Sequence, residues 1–187
     1  MISIPKDFYS FETKSPFTNC LQCNKSLLEN DTIYFIEKAI RNYPDLGVQD
    51  VIFDYAICAE CGMKMRNELS AKSLQHMEEY FATHVNMEKR RERLTGLHEF
   101  SADEWMGKCM VTGQERSTCT EYQIVGHFIG DKLFAGDAPY MMSMEAIDDI
   151  TNGLSNESID QLNQFRDDNI DLPPELNDLK KPKLLLI

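Results

Sequence analysis

Two Cys-x-x-Cys motifs constrain this chain more than any other feature: Cys20 with Cys23, and Cys58 with Cys61. A two-residue spacer lets one tight turn direct both thiolates at one ion, and two such turns supply the four tetrahedral ligands that Zn²⁺ prefers. Four cysteines close the coordination shell and leave no position for water or substrate. The spacing therefore predicts one structural zinc ion bound by these four residues, and no catalytic or cofactor-binding residue is predicted beside them.

Two other interpretations of the four cysteines remain open at this point. They could be free or redox-active thiols, because a single Cys-x-x-Cys can act as a redox pair. They could also bind iron in a rubredoxin-like site, because the same tetrahedral geometry accepts it. The presence of two pairs, one on each side of a predicted hairpin, favours a metal site.

The composition indicates in which compartment such a site would lie. Hydrophobic residues make up 42% of the 187 residues, which is enough for a packed core. No apolar run approaches the roughly 18 residues of a membrane span, and the N-terminus does not resemble a secretory signal. We therefore predict a cytoplasmic protein without membrane association, in a compartment where paired cysteines bind metal more often than they form disulfides.

The residues around the cysteine pairs predict a local structure for each. Residues 32–36 and 48–57 are rich in β-formers and are separated by a loop that contains Pro44 and Gly47. After Cys61 the apolar period changes to that of a helix, with a break predicted near Ser70 and a stop at Gly96. The second pair would then lie at a helix N-terminus, where free N–H groups stabilise thiolates.

A turn, a hairpin and a helix that opens with the second pair together resemble the treble-clef Cys₄ zinc fingers. Residues 55–61 are similar to the zinc-binding domain of Clp-type unfoldases. The resemblance covers about residues 17–70 and implies an α+β fold held by one zinc ion. It implies no particular activity, because one fold hosts many functions.

The second half of the chain repeats part of this pattern. Residues 109–114 align with 20–25, where Gly113 takes the turn position of Asn24, and residues 140–146 align with 55–61. The equivalent ligand set is Cys109, Thr112, Ser143 and Ala146, which cannot hold zinc. We predict a degenerate, metal-free treble-clef-like unit followed by a C-terminal helix, although coincidence is the alternative. Apolar side chains are expected to replace the metal, namely those of Met141, Met142, Met144 and Ile147.

Two further cysteines and a histidine could suggest a second metal site. The candidate ligands are Cys109, Cys119 and His127, with His98 or an acidic residue as the fourth. Their spacings match no metal-binding motif. An unpaired cysteine is commonly a small buried hydrophobe. We therefore predict buried thiols at both positions and leave any function of these residues open.

The domain boundaries follow from these patterns. We predict a zinc-binding domain over residues 1–96, a degenerate domain over residues 97–170, and an extended tail over residues 171–187. The tail ends in Leu184-Leu185-Leu186-Ile187, which either folds back on the protein or docks on a partner.

The charge distribution argues against nucleic-acid binding. The net charge is −12, and residues 101–187 carry 16 acidic against 7 basic side chains. Nucleic-acid binding needs basic side chains to displace counterions from phosphates. The main basic cluster consists of Lys89, Arg90, Arg91 and Arg93, which we interpret as the solvated end of a helix.

No enzymatic activity is predicted, because the chain lacks the nucleophile-elbow, phosphate-loop and His-Glu-x-x-His motifs. The leading hypothesis is a zinc-stabilised adaptor or regulator that binds another, unidentified protein. The alternatives are a nucleic-acid-associated zinc-finger protein, and an acidic inhibitor or immunity-type protein that masks a basic partner. The oligomeric state is left open.

Overall fold

The computed structural model describes residues 2–43, 45–96 and 99–170. The strands are β1 (Ile2–Ser3), β2 (Ile33–Tyr43), β3 (Val48–Cys58), β4 (Glu121–Ile129), β5 (Lys132–Leu133) and β6 (Tyr140–Ser143). The helices are α1 (Ala59–Glu68), α2 (Ala71–His84), α3 (Met87–Thr95), α4 (Ala102–Met106), α5 (Met144–Asn152) and α6 (Asn156–Asn169). The fold is therefore of the predicted α+β class. The predictions for Pro44, His98 and the tail lie outside the described residues.

All six strands join in one antiparallel sheet. The order is β1-β5-β4-β2-β3, and β6 pairs with β4 beside β5. The long strand β2 pairs with β3 on one edge and with β4 on the other. The two predicted domains thus contribute strands to a common sheet, and the boundary near residue 97 stays a prediction.

The register of β2 against β4 fits the alignment of the two halves, in which the offset is 89 residues at the cysteine turns and 85 at the following helices. Tyr34 pairs with Phe128 and Ile40 pairs with Tyr122, so each pair maps onto the other by a shift of 88 residues. The centre of this register is the pair formed by Glu37 and Val125, which are themselves 88 residues apart. The sheet is therefore built from two equivalent hairpin strands that meet at the centre of the molecule.

In each half the last strand leads into a helix and then into a second helix that begins at a serine cap. Ser70 caps α2 by accepting the N–H of Ser73 at 3.1 Å, and Ser155 caps α6 by accepting the N–H of Ser158 at 3.3 Å. The helical segment after Cys61 has the predicted break at Ser70. It also has a second break, at Val85 and Asn86, which the sequence interpretation missed.

The second helix of each half packs on the other half. The His76 ring of α2 lies 3.1 Å from the carbonyl oxygen of Ile150 in α5. The Phe165 ring of α6 packs edge-on against Tyr55 of β3, with ring centroids 5.9 Å apart. This exchange of helices buries apolar surface between the halves. Within the described residues, no helix has the length and apolar composition that crossing a membrane requires.

Candidate metal centre and its metal-free counterpart

The four cysteines of the two pairs converge at the junction of the first turn and α1. Their Sγ atoms all lie within 4.8 Å of one another. Cys20, Cys58 and Cys61 are buried and Cys23 is exposed. The sequence-predicted ligand set is therefore brought together in a single cluster.

Local hydrogen bonds shape the turn that carries the first pair. The N–H of Asn24 donates to the carbonyl of Cys20 at 2.9 Å, and the N–H of Cys20 donates to the carbonyl of Lys25 at 2.9 Å. Asn24 takes a left-handed conformation with φ of 59°, which asparagine adopts more readily than most residues. The turn directs both thiols to the same side.

The second pair is positioned by the end of β3. The N–H of Leu21 donates to the carbonyl of Ala56 at 2.9 Å, which anchors the turn against the hairpin. Cys58 is the N-cap residue of α1, and its N–H points at Cys20 Sγ at 3.4 Å. Cys61 follows in the first turn of the helix, so the chain direction at the strand–helix junction places both thiols over the first pair.

The electrostatics of the cluster favour a thiolate at Cys20. Burial opposes ionisation of this thiol, but N–H donors from Cys58, Cys23 and Gln22 outweigh it and lower the Cys20 pKa to about 7. Burial is also the largest influence on the pKa values of Cys58 and Cys61, and it raises both. A bound cation would offset this cost by stabilising all four thiolates.

The spacing of the sulfurs fits a tetrahedral metal. Zn–S bonds of about 2.3 Å imply S···S edges of about 3.8 Å in a regular tetrahedron. The Sγ atoms of Cys23 and Cys58 lie 3.7 Å apart. The donor set therefore fits a tetrahedral metal ion such as zinc.

The turn at Cys109 reproduces the geometry of the turn at Cys20. The N–H of Gly113 donates to the carbonyl of Cys109 at 2.9 Å, and the N–H of Cys109 donates to the carbonyl of Gln114 at 2.8 Å. Gly113 takes a left-handed conformation with φ of 73°, as Asn24 does. The N–H of Met110 donates to the carbonyl of Met141 at 2.9 Å, which matches the anchoring bond of Leu21.

Hydrogen-bonding groups occupy the ligand positions of the second turn. Ser143 directs its N–H at Cys109 Sγ at 3.3 Å and its hydroxyl at the same sulfur at 3.4 Å. The Thr112 hydroxyl lies 3.4 Å from that of Ser143. Burial opposes ionisation of Cys109, but these donors lower the pKa of its thiol.

The prediction that apolar side chains alone replace the metal therefore needs correction. Met141, Met142 and Ile147 are fully buried, as expected, whereas Met144 is only half-buried. A hydrogen-bonded thiol and two hydroxyls stand in the ligand positions, because Ser143 is also the N-cap of α5 and its hydroxyl already points inward. The sequence showed which residues align but not that they bond to one another.

The remaining candidate ligands do not converge. Cys119 is buried, which raises the pKa of its thiol to about 11, and its Sγ lies 3.5 Å from the carbonyl of Glu115. The His127 ring packs edge-on against Phe35, and burial lowers its pKa. Among the residues that the structure describes, the cluster at Cys20 is the sole convergence of three or more histidine, cysteine or acidic side chains.

Within the basic cluster of α3, Arg90 turns inward, whereas Lys89, Arg91 and Arg93 are exposed as predicted. Arg90 stacks over the Trp105 ring and donates to the carbonyl of Pro139 at 2.7 Å. The other two arginines form ion pairs with acidic side chains of the second half: Arg91 with Asp137 at 2.5 Å and Arg93 with Glu104 at 2.9 Å. These arginines therefore attach α3 to the second half.

An apolar cavity of about 380 Å³ lies between α2 and the second half. Its apolar lining is Met77, Phe81, Met87, Met110 and Tyr140, and its polar rim is Arg66, Glu78, His127 and Asp137. The sequence interpretation missed this cavity because its walls come from both halves. The alignment of Met110 with Leu21 and of Tyr140 with Tyr55 was the signal that could have indicated one wall.

No protein-family model, curated protein or solved structure matches this chain.

Proposed function

We propose that this protein is a zinc-stabilised protein-interaction module, an adaptor or regulator built from two treble-clef units of which one has lost its metal. The observation that carries the proposal is the convergence of four cysteine sulfurs within 4.8 Å of one another. Cys20, Cys23, Cys58 and Cys61 would hold one Zn²⁺ ion. The ion would crosslink the turn, the hairpin and α1, because its binding free energy is available only to the folded chain.

The internal comparison supports a structural rather than a catalytic role for the ion. A Cys₄ shell leaves no open coordination position for a substrate. The turn at Cys109 keeps the same backbone hydrogen bonds with hydroxyls in place of sulfurs. A unit of this shape can thus be held together either by a metal ion or by hydrogen bonds, as expected if the role of the metal is structural.

The apolar cavity between α2 and the second half is the surface that we assign to a partner. Three of its lining residues are methionines, whose flexible and polarisable side chains adapt to varied apolar groups. The chain carries a net charge of −12, which attracts basic partners over distance. The occupant would be an apolar side chain of a protein segment flanked by lysine or arginine.

The contacts of the basic cluster add a second argument against the nucleic-acid alternative. Arg90, Arg91 and Arg93 all bind groups of the protein itself, which reduces their capacity to bind phosphates. The inhibitor or immunity-type alternative shares the basic partner with our proposal and differs only in the consequence of binding.

Affinity capture from the native host, followed by mass spectrometry, tests the interaction role. The informative variant is Phe81→Glu, which places a charge in the cavity, and its matched control is Phe134→Glu, at a phenylalanine that is 48% exposed outside the cavity. Wild type and the control should retain the same partner, and Phe81→Glu should lose it while keeping its metal. A partner that all three proteins retain would show that binding does not use this cavity.

A further inference from the structure

A second apolar groove lies where α6 ends. It encloses about 290 Å³ and is lined by residues of the first half and the end of α6: Phe11, Glu12, Leu21, Val51, Ile52, Phe53, Asp54, Asn169 and Ile170. Phe11 and Leu21 are 48% and 39% exposed. Because Ile170 lines the groove, the chain beyond α6 starts at its edge.

Because the two halves correspond, the chain beyond α6 has a counterpart in the first half, namely the chain beyond α2. Val85 ends α2 by donating its N–H to the carbonyl of Phe81 at 2.9 Å, and Ile170 ends α6 by donating to the carbonyl of Arg166 at 2.8 Å. Val85 and Ile170 are 85 residues apart, as are the capping serines Ser70 and Ser155. Residues beyond Ile170 are therefore the counterparts of α3.

In the second half, α3 contacts Asp137 and the backbone of Pro139. Arg91 forms an ion pair with Asp137 at 2.5 Å, and Arg90 donates to the carbonyl of Pro139. Leu94 of α3 is 2% exposed. The segment that leaves α2 is thus attached to the other half by ion pairs of Arg91 and Arg93 and by hydrogen bonds from Arg90 to backbone carbonyls, and it carries one buried leucine.

When the same shift of 85 residues is applied to the residues that α3 contacts, their counterparts lie in the groove. Asp137 corresponds to Ile52, and Pro139 corresponds to Asp54, both of which line the groove. Arg91 corresponds to Leu176 in the sequence, and Leu94 corresponds to Leu179. The positions of the ion pair in one half thus correspond to apolar residue types in the other, and a leucine stands at both position 94 and position 179.

We propose that this groove binds residues 172–179 of the same chain, with Leu176 against Ile52 and Leu179 in the role of Leu94. The segment lies outside the described residues, and Leu176 is six residues from Ile170, a reach of up to about 20 Å. Burial of two leucines against Phe11, Leu21 and Ile52 would drive the contact. The proposal is independent of the metal and of any partner.

Substitutions in the segment test the contact without touching the folded core. Leu176→Asp and Leu179→Asp should each lower Tm by about 2–4 °C, as expected for loss of one apolar contact in a chain of this size. Methyl NOEs from Leu176 to the Phe11 or Phe53 rings should be seen in the wild type and lost in Leu176→Asp. The matched control is Leu185→Asp, beyond the proposed segment, which should leave Tm and the ring signals unchanged.

A charge exchange makes the test specific to the predicted register. Ile52→Asp should lower Tm, and adding Leu176→Arg to it should restore part of the loss, because the pair then reproduces the ion pair of Arg91 and Asp137. Adding Leu185→Arg instead should restore none. Leu176→Asp with the Tm of Leu185→Asp would overturn the proposal. A contact that appears only with dimer formation in sedimentation would also overturn it, because the groove would then bind a second copy.

Discussion

Cys20 and Cys109 occupy the same turn and receive an N–H from the residue that caps the following helix, Cys58 in one case and Ser143 in the other. What differs is the set of side chains around the sulfur. Three further thiols surround Cys20, whereas two hydroxyls and a methyl group occupy the equivalent positions around Cys109. The identity of three side chains therefore decides whether this backbone geometry can bind a metal.

Removal of one thiol from the first site should abolish metal binding, whereas removal of the equivalent thiol from the second should not. Cys58→Ser should release the ion and destabilise the first half, because the remaining three thiolates leave the shell incomplete. Cys109→Ser is the matched control, and it should keep its metal at a cost of about 1 kcal/mol in the free energy of unfolding. Elemental analysis and thermal melts check both variants. A Cys58→Ser protein that melts like wild type would exclude the structural role of the metal.

The second turn should accept a metal once its ligands are supplied. The triple variant Thr112→Cys, Ser143→Cys and Ala146→Cys completes a Cys₄ set with Cys109 at positions that match the first site. We expect its zinc content to rise by about one equivalent, because one Cys₄ set holds one ion. Zinc titration against a colorimetric chelator measures this, with Thr112→Cys alone as the control. An unchanged content would show that the two turns differ more than their hydrogen bonds suggest.

At the level of elements, the sequence predicted those structures that depend on residues close together in the chain. The cysteine turns, the first hairpin, the helix at Cys58 and the alignment of residues 140–146 all depend on neighbouring residues. The pairing of β2 with β4 joins residues about 90 apart, and nothing in a local pattern specifies it. The break at Asn86 was missed because an asparagine cap inside a polar helical run has little apolar period to interrupt.

Four serines join the helix junctions of the two halves. The N–H of Ser70 donates to the Ser158 hydroxyl at 3.0 Å, and the N–H of Ser155 donates to the Ser73 hydroxyl at 2.9 Å. The hydroxyls of Ser70 and Ser155 lie 2.9 Å apart. Each serine thus serves its own helix and the other half, an arrangement that the cap pattern in the sequence did not reveal.

Loss of one of these hydroxyls should cost more than loss of an ordinary cap. Ser155→Ala removes the α6 cap and also leaves Ser70 and Ser73 with fewer partners, so we expect about 2 kcal/mol of destabilisation. Asn86→Ala, which removes only the exposed cap of α3, is the matched control and should cost about 1 kcal/mol. Urea denaturation measures both. Equal costs would indicate that the contact between the halves contributes nothing.

At the scale of the whole molecule, the shared sheet couples the two halves. Strand β2 pairs along nearly its full length with β3 of the first half and for most of its length with β4 of the second. The helices α2 and α6 each pack on the opposite half. Loss of order at the metal cluster should therefore reach the second half.

Metal removal provides a test of this coupling. Trp105, the single tryptophan, is 3% exposed in α4 of the second half, so its emission reports on a region away from the cluster. We expect a strong chelator to shift its emission to longer wavelength in the same transition that abolishes the far-UV helical signal. Chelation of the Cys109→Ser variant should behave alike. An unchanged emission after complete metal removal would mean that the halves fold independently.

X-ray absorption at the metal edge of the protein purified from its native host tests the central claim most directly. The account predicts about one equivalent of zinc with four sulfur ligands at about 2.3 Å. Substitution of Cys58 by serine should abolish that signal. An iron edge, a mixed shell of sulfur with oxygen or nitrogen, or a chain that carries no metal would contradict a structural zinc ion held by Cys20, Cys23, Cys58 and Cys61.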